Sequence, residues 1–263
     1  MANYDIIIQA GQSNAEGCGY GPVTKEFVPS PNAFYLNSEK TVDVIDGLLK
    51  IEYADVPFEI VPAEERIIND MPYGDFSLTF AEEYEKAGLL KDGRKILIVR
   101  AAIGGTGFCV KQWGIGMQLY EKLLEMTEYA LNLDGDNRIV AFLWHQGERD
   151  SVEEDAYKNY KALLTAQTAD FRARYGEEIP FIAADFVNDW KSKYFEQCER
   201  VVQITREITK EIGNAGFVET SDLKSNHQQN GEECTDDIHF SRESLQILGR
   251  RYFDAFQKIK NNK

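Results

Sequence analysis

Long hydrophobic runs are missing from this sequence. The first apolar stretch, Ile6-Ile7-Ile8, has no basic region ahead of it and is far too short for a signal-peptide core or a membrane span. The expectation is a cytoplasmic chain with no membrane partner. Cysteine is scarce and scattered. Cys18, Cys109, Cys198 and Cys234 form no C-x-x-C pair and no zinc spacing, so they read as free thiols in a reducing compartment. Positive charge is in deficit: 29 Lys+Arg stand against 44 Asp+Glu, a formal net charge of −15. Nucleic acid and anionic membranes would on average be repelled, so neither is an expected partner. Familiar nucleotide and hydrolase signatures are absent as well. Gly11 to Gly17 lacks the Lys-Ser/Thr ending of a P-loop, Gly17-Cys18-Gly19-Tyr20-Gly21 misses the dinucleotide spacing, and no G-x-S-x-G elbow occurs.

What is present is an ordinary globular composition, 43% hydrophobic and 28% charged over 263 residues, enough for a sizeable core. Almost continuously apolar runs, at 4–10, 95–101, 138–144, 180–185 and 215–219, suit strands buried on both faces. Helical spacing fills 76–90, 117–133, 156–175, 195–212 and 241–259. Strands alternating with helices predict an α/β fold, a parallel sheet with helices on both sides. The region from about 20 to 75 is different. It holds all but one of the seven prolines and short β-like pieces such as 34–36 and 42–44. It reads as a long excursion of loops and short strands over one end of the sheet. With no repeat and no linker, residues 1–263 read as one domain.

Ligands of open parallel sheets bind beyond the carboxyl ends of the strands. There the sequence places Gly11-Gln12-Ser13-Asn14, then Ile103-Gly104-Gly105-Thr106-Gly107, then His145-Gln146-Gly147-Glu148-Arg149-Asp150. Asp236-Asp237-Ile238-His239-Phe240 precedes the last helix. A helix N-cap would account for Ser13 alone. The alternative is a nucleophile at a helix start, where developing negative charge is favoured. Its base would be one of three histidines: His145, His227 or His239. His239 follows Asp236 by three residues, a spacing that lets the carboxylate fix the imidazole tautomer; the adjacent Asp237 competes for that role. Gly104-Gly105 is a tight turn or a source of bare N–H groups. Gln146 is an amide aimed at a polar site, able to act as an oxyanion donor. A metal reading would take His145, Glu148, Asp150 and His239 as ligands.

GQSN, IGGT, WHQGERD and DDIHF, in this order at strand ends from Gly11 to His239, resemble the SGNH hydrolase superfamily. More narrowly, they resemble its sialate O-acetylesterase-like and carbohydrate esterase family 6 branch. The resemblance implies a three-layer α/β/α, flavodoxin-like fold and cofactor-independent removal of O-acetyl groups from acetylated sugars or oligosaccharides through an acetyl-enzyme. Position by position, it implies Ser13 as nucleophile, His239 as base and Asp236 as acid. Ser13, Gly104 or Gly105, and Gln146 would form the oxyanion hole. Gln12, Asn14, Glu148 and Asp237 are further candidates. Two positions depart from the pattern: Ala15 stands where many members carry methionine, and Arg149 where a small hydroxyl residue is common. Trp113, Trp144 and Trp190 could stack on a sugar. The rival reading is a carbohydrate-binding relative without turnover. The oligomeric state does not follow from the sequence.

Overall fold

The computed structural model describes residues 3–261. Strand β1 (Asn3–Gly11) leads after one residue into a single helical turn, α1 (Ser13–Glu16). The excursion then carries β2 (Ala33–Asn37), β3 (Lys40–Ile45), β4 (Leu48–Tyr53), β5 (Glu59–Pro62), β6 (Arg66–Ile68) and β7 (Met71–Tyr73). Next come α2 (Phe76–Lys86), β8 (Arg94–Ala102), α3 (Gln118–Leu131), β9 (Arg138–His145), α4 (Glu148–Val152) and α5 (Tyr157–Tyr175). The chain finishes with β10 (Phe181–Ala184), α6 (Asn188–Lys193), α7 (Phe195–Glu211), β11 (Ala215–Val218), α8 (Asn226–Asn230) and α9 (Arg242–Asn261).

Seven strands form one sheet in the order β11-β10-β9-β1-β8-β2-β5. Every neighbouring pair is parallel except β2 with β5. Without the inserted β2 and β5, chain order runs second, first, third, fourth, fifth across the sheet, which is the flavodoxin-like arrangement. Side chains of β1 alternate between two apolar layers, as a strand buried on both faces requires. Ile6, Ile8 and Ala10 join α3, α5 and α7, through residues such as Leu123, Phe171 and Val201. Ile7 faces α2 and α9, through Phe80, Leu245 and Phe256. The three-layer α/β/α expectation is met.

The excursion does more than cover one end of the sheet. Its β2 pairs with β8, and β5 closes that edge antiparallel, with Pro62 at the strand's end, where an edge tolerates a missing N–H. Two hairpins, β3–β4 and β6–β7, stand off the sheet. The first turns through Asp46 and Gly47, both at positive φ (52° and 77°), as a two-residue primed turn demands.

The chain reverses its direction of travel at β1: β8 lies on one side, β9 on the other. In register, Gly11 is level with Ala102 and with His145. Three of the strand-end motifs therefore begin side by side, at the point where a doubly wound sheet opens a crevice.

Candidate active site

Ser13 opens α1, but it is not its N-cap. Gln12 holds that position (φ −120°) and makes no side-chain cap bond. The capping explanation for Ser13 therefore falls away. One helical turn carries little macrodipole, so what it offers is the unbonded N–H of its first residue. Gly104 lies against Ser13: a Cβ there would sit 3.2 Å from Ser13 Cβ, a tight contact that favours glycine where the two motifs meet. Ser13, Gly104, Gly105, Glu148, Arg149 and His239 are among the residues that line one cavity of about 500 Å³.

His239 is held from several sides. Its Nδ1 lies 2.9 Å from Asp236 Oδ2, and its backbone N–H donates to Asp236 Oδ1 at 3.3 Å. Asn226 Nδ2 donates to the same carboxylate at 2.8 Å. Burial pushes the Asp236 carboxyl up, but the hydrogen bonds and charge of His239 and the Asn226 amide outweigh it and leave the group below the usual range. Asp237 takes no part, because its carboxylate pairs with Lys193. Asn14 clips the histidine loop to α1. It donates to Ile238 O (3.1 Å) and accepts from Phe240 N (3.0 Å), the residues on either side of His239. Its Nδ2 also donates to Glu148 Oε1 at 2.9 Å. Asn14, itself bonded to Glu148, thus anchors the loop that carries His239.

The donors around Ser13 differ in part from the sequence expectation. Gly104 N–H is already spent on Glu16 Oε2 (2.9 Å), while Gly105 N–H has no protein acceptor among the described residues. Gln146 is committed as well. Its amide nitrogen donates to Asp150 Oδ2 (2.5 Å) and lies within reach of Thr106 O (3.2 Å), and the residue does not line the cavity. The pull comes from Asp150, a buried carboxylate that also accepts from Phe108 N and Cys109 N. Gln12 does line the cavity. Its Oε1 accepts from Arg149 N (3.3 Å) and Gln146 Nε2 (3.4 Å), and its Nε2 has no protein acceptor among the described residues.

The four candidate metal ligands do not converge, and no group of three or more His, Cys, Asp or Glu is placed to hold a metal among the described residues. His145 points into the core instead. Tyr252 O–H donates to Trp144 O (2.7 Å), so His145 Nδ1 must donate to Tyr252 Oη (3.2 Å). That leaves a bare Nε2 facing Glu148 Oε1 at 3.6 Å. Burial holds the imidazole down, to about 3, and pushes Glu148 up. Asp150 faces away from both, and His239 is bound to Asp236.

Trp113 and Trp144 are core residues, and Trp190 alone of the three lines the cavity. The roles of Asn226 and Glu16 had no sequence signal: Asn226 lies in a polar stretch without a motif, and Glu16, two residues past GQSN, belongs to none of the four motifs. All four cysteines are unpaired. No helix among the described residues is long and apolar enough to cross a membrane.

A family model described as "Carbohydrate esterase, sialic acid-specific acetylesterase" matches residues 3–258. An Arabidopsis thaliana protein named as a probable carbohydrate esterase is 36% identical over 75 residues. That match spans 28% of this chain and 27% of the relative. Among solved structures, one described as NanS superposes with a TM-score of 0.74 at 19% identity, over 100% of both chains. An Arabidopsis thaliana structure follows at 0.66 and 21%, over 98% and 99%. A carbohydrate acetylesterase from Xanthomonas citri stands at 0.62 and 15%, over 98% of this chain and 57% of the other. At these identities the structures speak for the fold.

Proposed function

The chain belongs to the sialic acid-specific acetylesterase family of carbohydrate esterases, and from that premise we propose that it is a serine O-acetylesterase acting on acetylated sugars. The observation that carries the proposal is the Asp236–His239 hydrogen bond (2.9 Å) in a loop that shares one cavity with Ser13. Asp236 orients the imidazole by accepting from Nδ1–H, which leaves Nε2 free to take the Ser13 proton. Ser13 Oγ has no hydrogen-bond partner among the described residues, so it is free to attack the acetyl carbonyl. The oxyanion then meets Ser13 N–H, Gly105 N–H and Gln12 Nε2, in place of Gln146. The sugar oxygen leaves with the proton from His239, and water repeats the cycle on the acetyl-enzyme. Free donors beside Ser13 favour turnover over a binding-only relative. We treat the chain as one catalytic domain and, on its unpaired cysteines, place it in the cytoplasm.

Acetate release from an O-acetylated sialic acid, measured with a chelator present, tests the reading. Sustained release is expected. Release that stops with the chelator and returns with zinc would replace it with metal-dependent hydrolysis.

The oxyanion assignment has its own test. Gln12→Ala should lower kcat on the order of a hundredfold, as loss of one oxyanion donor does, and should also lower Tm, because Gln12 Oε1 accepts from Arg149 N and lies within reach of Gln146 Nε2. Gln146→Ala should mainly lower Tm, because it strips a donor from buried Asp150. A kcat loss confined to the Gln146 variant would return the role to Gln146.

A further inference from the structure

The polar stretch Ser225-Asn226-His227-Gln228-Gln229-Asn230 offered His227 as a candidate base, a role it does not take. Its Nδ1 meets Cys234 O (2.5 Å), and the residue does not line the cavity around Ser13. The stretch forms α8 instead, and the first turn of α8 is bonded to the loop of the triad. Asn226 N donates to His239 O (2.9 Å) and His227 N to Asp236 O (2.7 Å), so the D-x-x-H segment is held at both ends. A capping box between Ser225 and Gln228 fixes the start of α8, and Ser225 Oγ donates to Asp189 Oδ2 (2.7 Å).

The Asn226 side chain is fully buried, and its amide has one possible orientation. Tyr20 N is a donor, so Oδ1 faces it (3.0 Å). Cys18 O and Asp236 Oδ2 are acceptors, so the two N–H groups of Nδ2 face them (3.0 Å and 2.8 Å). The other bonds to the Asp236 carboxylate all come from His239. Asn226 is therefore its one independent partner among the described residues. A carboxylate held only by the residue it orients would turn with that residue, and Asp236, with 27% of its side chain exposed, is open to water as well.

We propose that Asn226 is a positioning residue for the esterase reaction, holding Asp236 Oδ2 against His239 Nδ1 through a donor that the histidine does not supply. The inference rests on the esterase reading above. Donation to the charged carboxylate also disfavours passage of the Nδ1 proton to Asp236, so the imidazolium formed during attack keeps it.

Asn226 does not line the cavity, so its removal should act on kcat and leave KM nearly unchanged. Asn226→Ala should lower kcat for acetate release from an O-acetylated sialic acid by roughly tenfold to a hundredfold, the range of a hydrogen bond to a charged group. It should also lower Tm, because Tyr20 N and Cys18 O lose their partner. Asn226→Asp separates positioning from stability. The new carboxyl keeps the shape and the acceptor for Tyr20 N. Buried against Asp236, it holds a proton to higher pH than an ordinary carboxyl, since two carboxylates in contact resist ionising together. Protonated, it donates to Asp236 as the amide does; ionised, it cannot. The other titratable groups facing this pair are His239 on the same loop and Cys18 and Tyr20 from the segment after α1. Burial above all pushes the Cys18 thiol up to about 12, and the bond with Cys234 above all raises the Tyr20 phenol, so neither changes charge near neutrality. Glu16 and Arg66, beyond Cys18, are paired with each other (3.4 Å). His239 titrates in both proteins, so the variant is read against the parent at each pH. The ratio of kcat in Asn226→Asp to kcat in the parent, measured on folded protein, should fall as pH rises. A ratio level across pH, a loss carried by KM, or parent-level kcat in Asn226→Ala would overturn the inference and leave the esterase reading standing. No acetate from the parent itself would instead overturn the esterase reading.

Discussion

Alanine at position 13 is expected to lower kcat for acetyl-ester hydrolysis by at least about 10⁴-fold, as loss of a triad nucleophile does. The Tm should hardly move. Ser13 Oγ makes no hydrogen bond among the described residues, so the substitution leaves no buried partner without its bond. The α1 turn is held by backbone bonds, Glu16 N to Gln12 O (2.8 Å) and Gly17 N to Ser13 O (3.1 Å), which alanine keeps. Alanine also has the higher helix propensity. Near-wild-type turnover in this variant would remove Ser13 from the mechanism. A large fall in Tm together with activity would mean that its hydroxyl is structural.

The strand-end motifs were legible because a buried parallel strand is a continuous apolar run, and its end is marked by the first glycine or amide. Ile6 to Ile8, the run before Ile103 and the run before His145 all behave this way. Position in the sheet was harder to read. That β8 and β9 flank β1 depends on crossovers longer than any local pattern, and β2 pairs with a strand that follows it by almost sixty residues. The primed turn at Asp46-Gly47 was open to sequence reading, since an Asp-Gly pair between apolar runs is a hairpin signal. Within the site, residue type was legible but direction was not. Gln146 and Gln12 are the same side chain in adjacent motifs. Which one faces the cavity is decided by Asp150, whose carboxylate draws the Gln146 amide inward. Likewise, the Gly104 N–H is spent while that of Gly105 is free because Glu16 reaches the first of them. Such competition among partners is a property of packed neighbours and leaves no trace in spacing.

Asp236 and Asp237 were equivalent by spacing, and their asparagine variants should separate by about three orders of magnitude. Asp236→Asn should lower kcat on the order of 10³- to 10⁴-fold, because the acid holds the base in its reactive tautomer. Both Asp236 oxygens are acceptors: Oδ2 lies 2.9 Å from His239 Nδ1 and takes Asn226 Nδ2, and Oδ1 takes His239 N. An amide has one oxygen to offer, so its NH₂ must face a donor, either His239 N or the pair on the other side. Turning the NH₂ towards Nδ1 moves the imidazole proton to Nε2, where it blocks acceptance of the Ser13 proton. The stability effect has a sign that pH reveals. The Asp236 carboxyl is held below its usual range in the folded protein, so its contribution is present above an ordinary carboxylate pKa of about 4 and is lost as pH falls through the lowered value. The difference in unfolding free energy between parent and Asp236→Asn should therefore be level near neutrality and shrink in acid. Asp237→Asn breaks only the pair with Lys193, whose side chain is 57% exposed against 12% for Asp237; because no hydrogen bond joins the Asp237 carboxylate to His239 among the described residues, kcat should stay within about threefold of the parent. Equal losses in the two variants, or a larger one at Asp237, would move the acid of the triad by one residue.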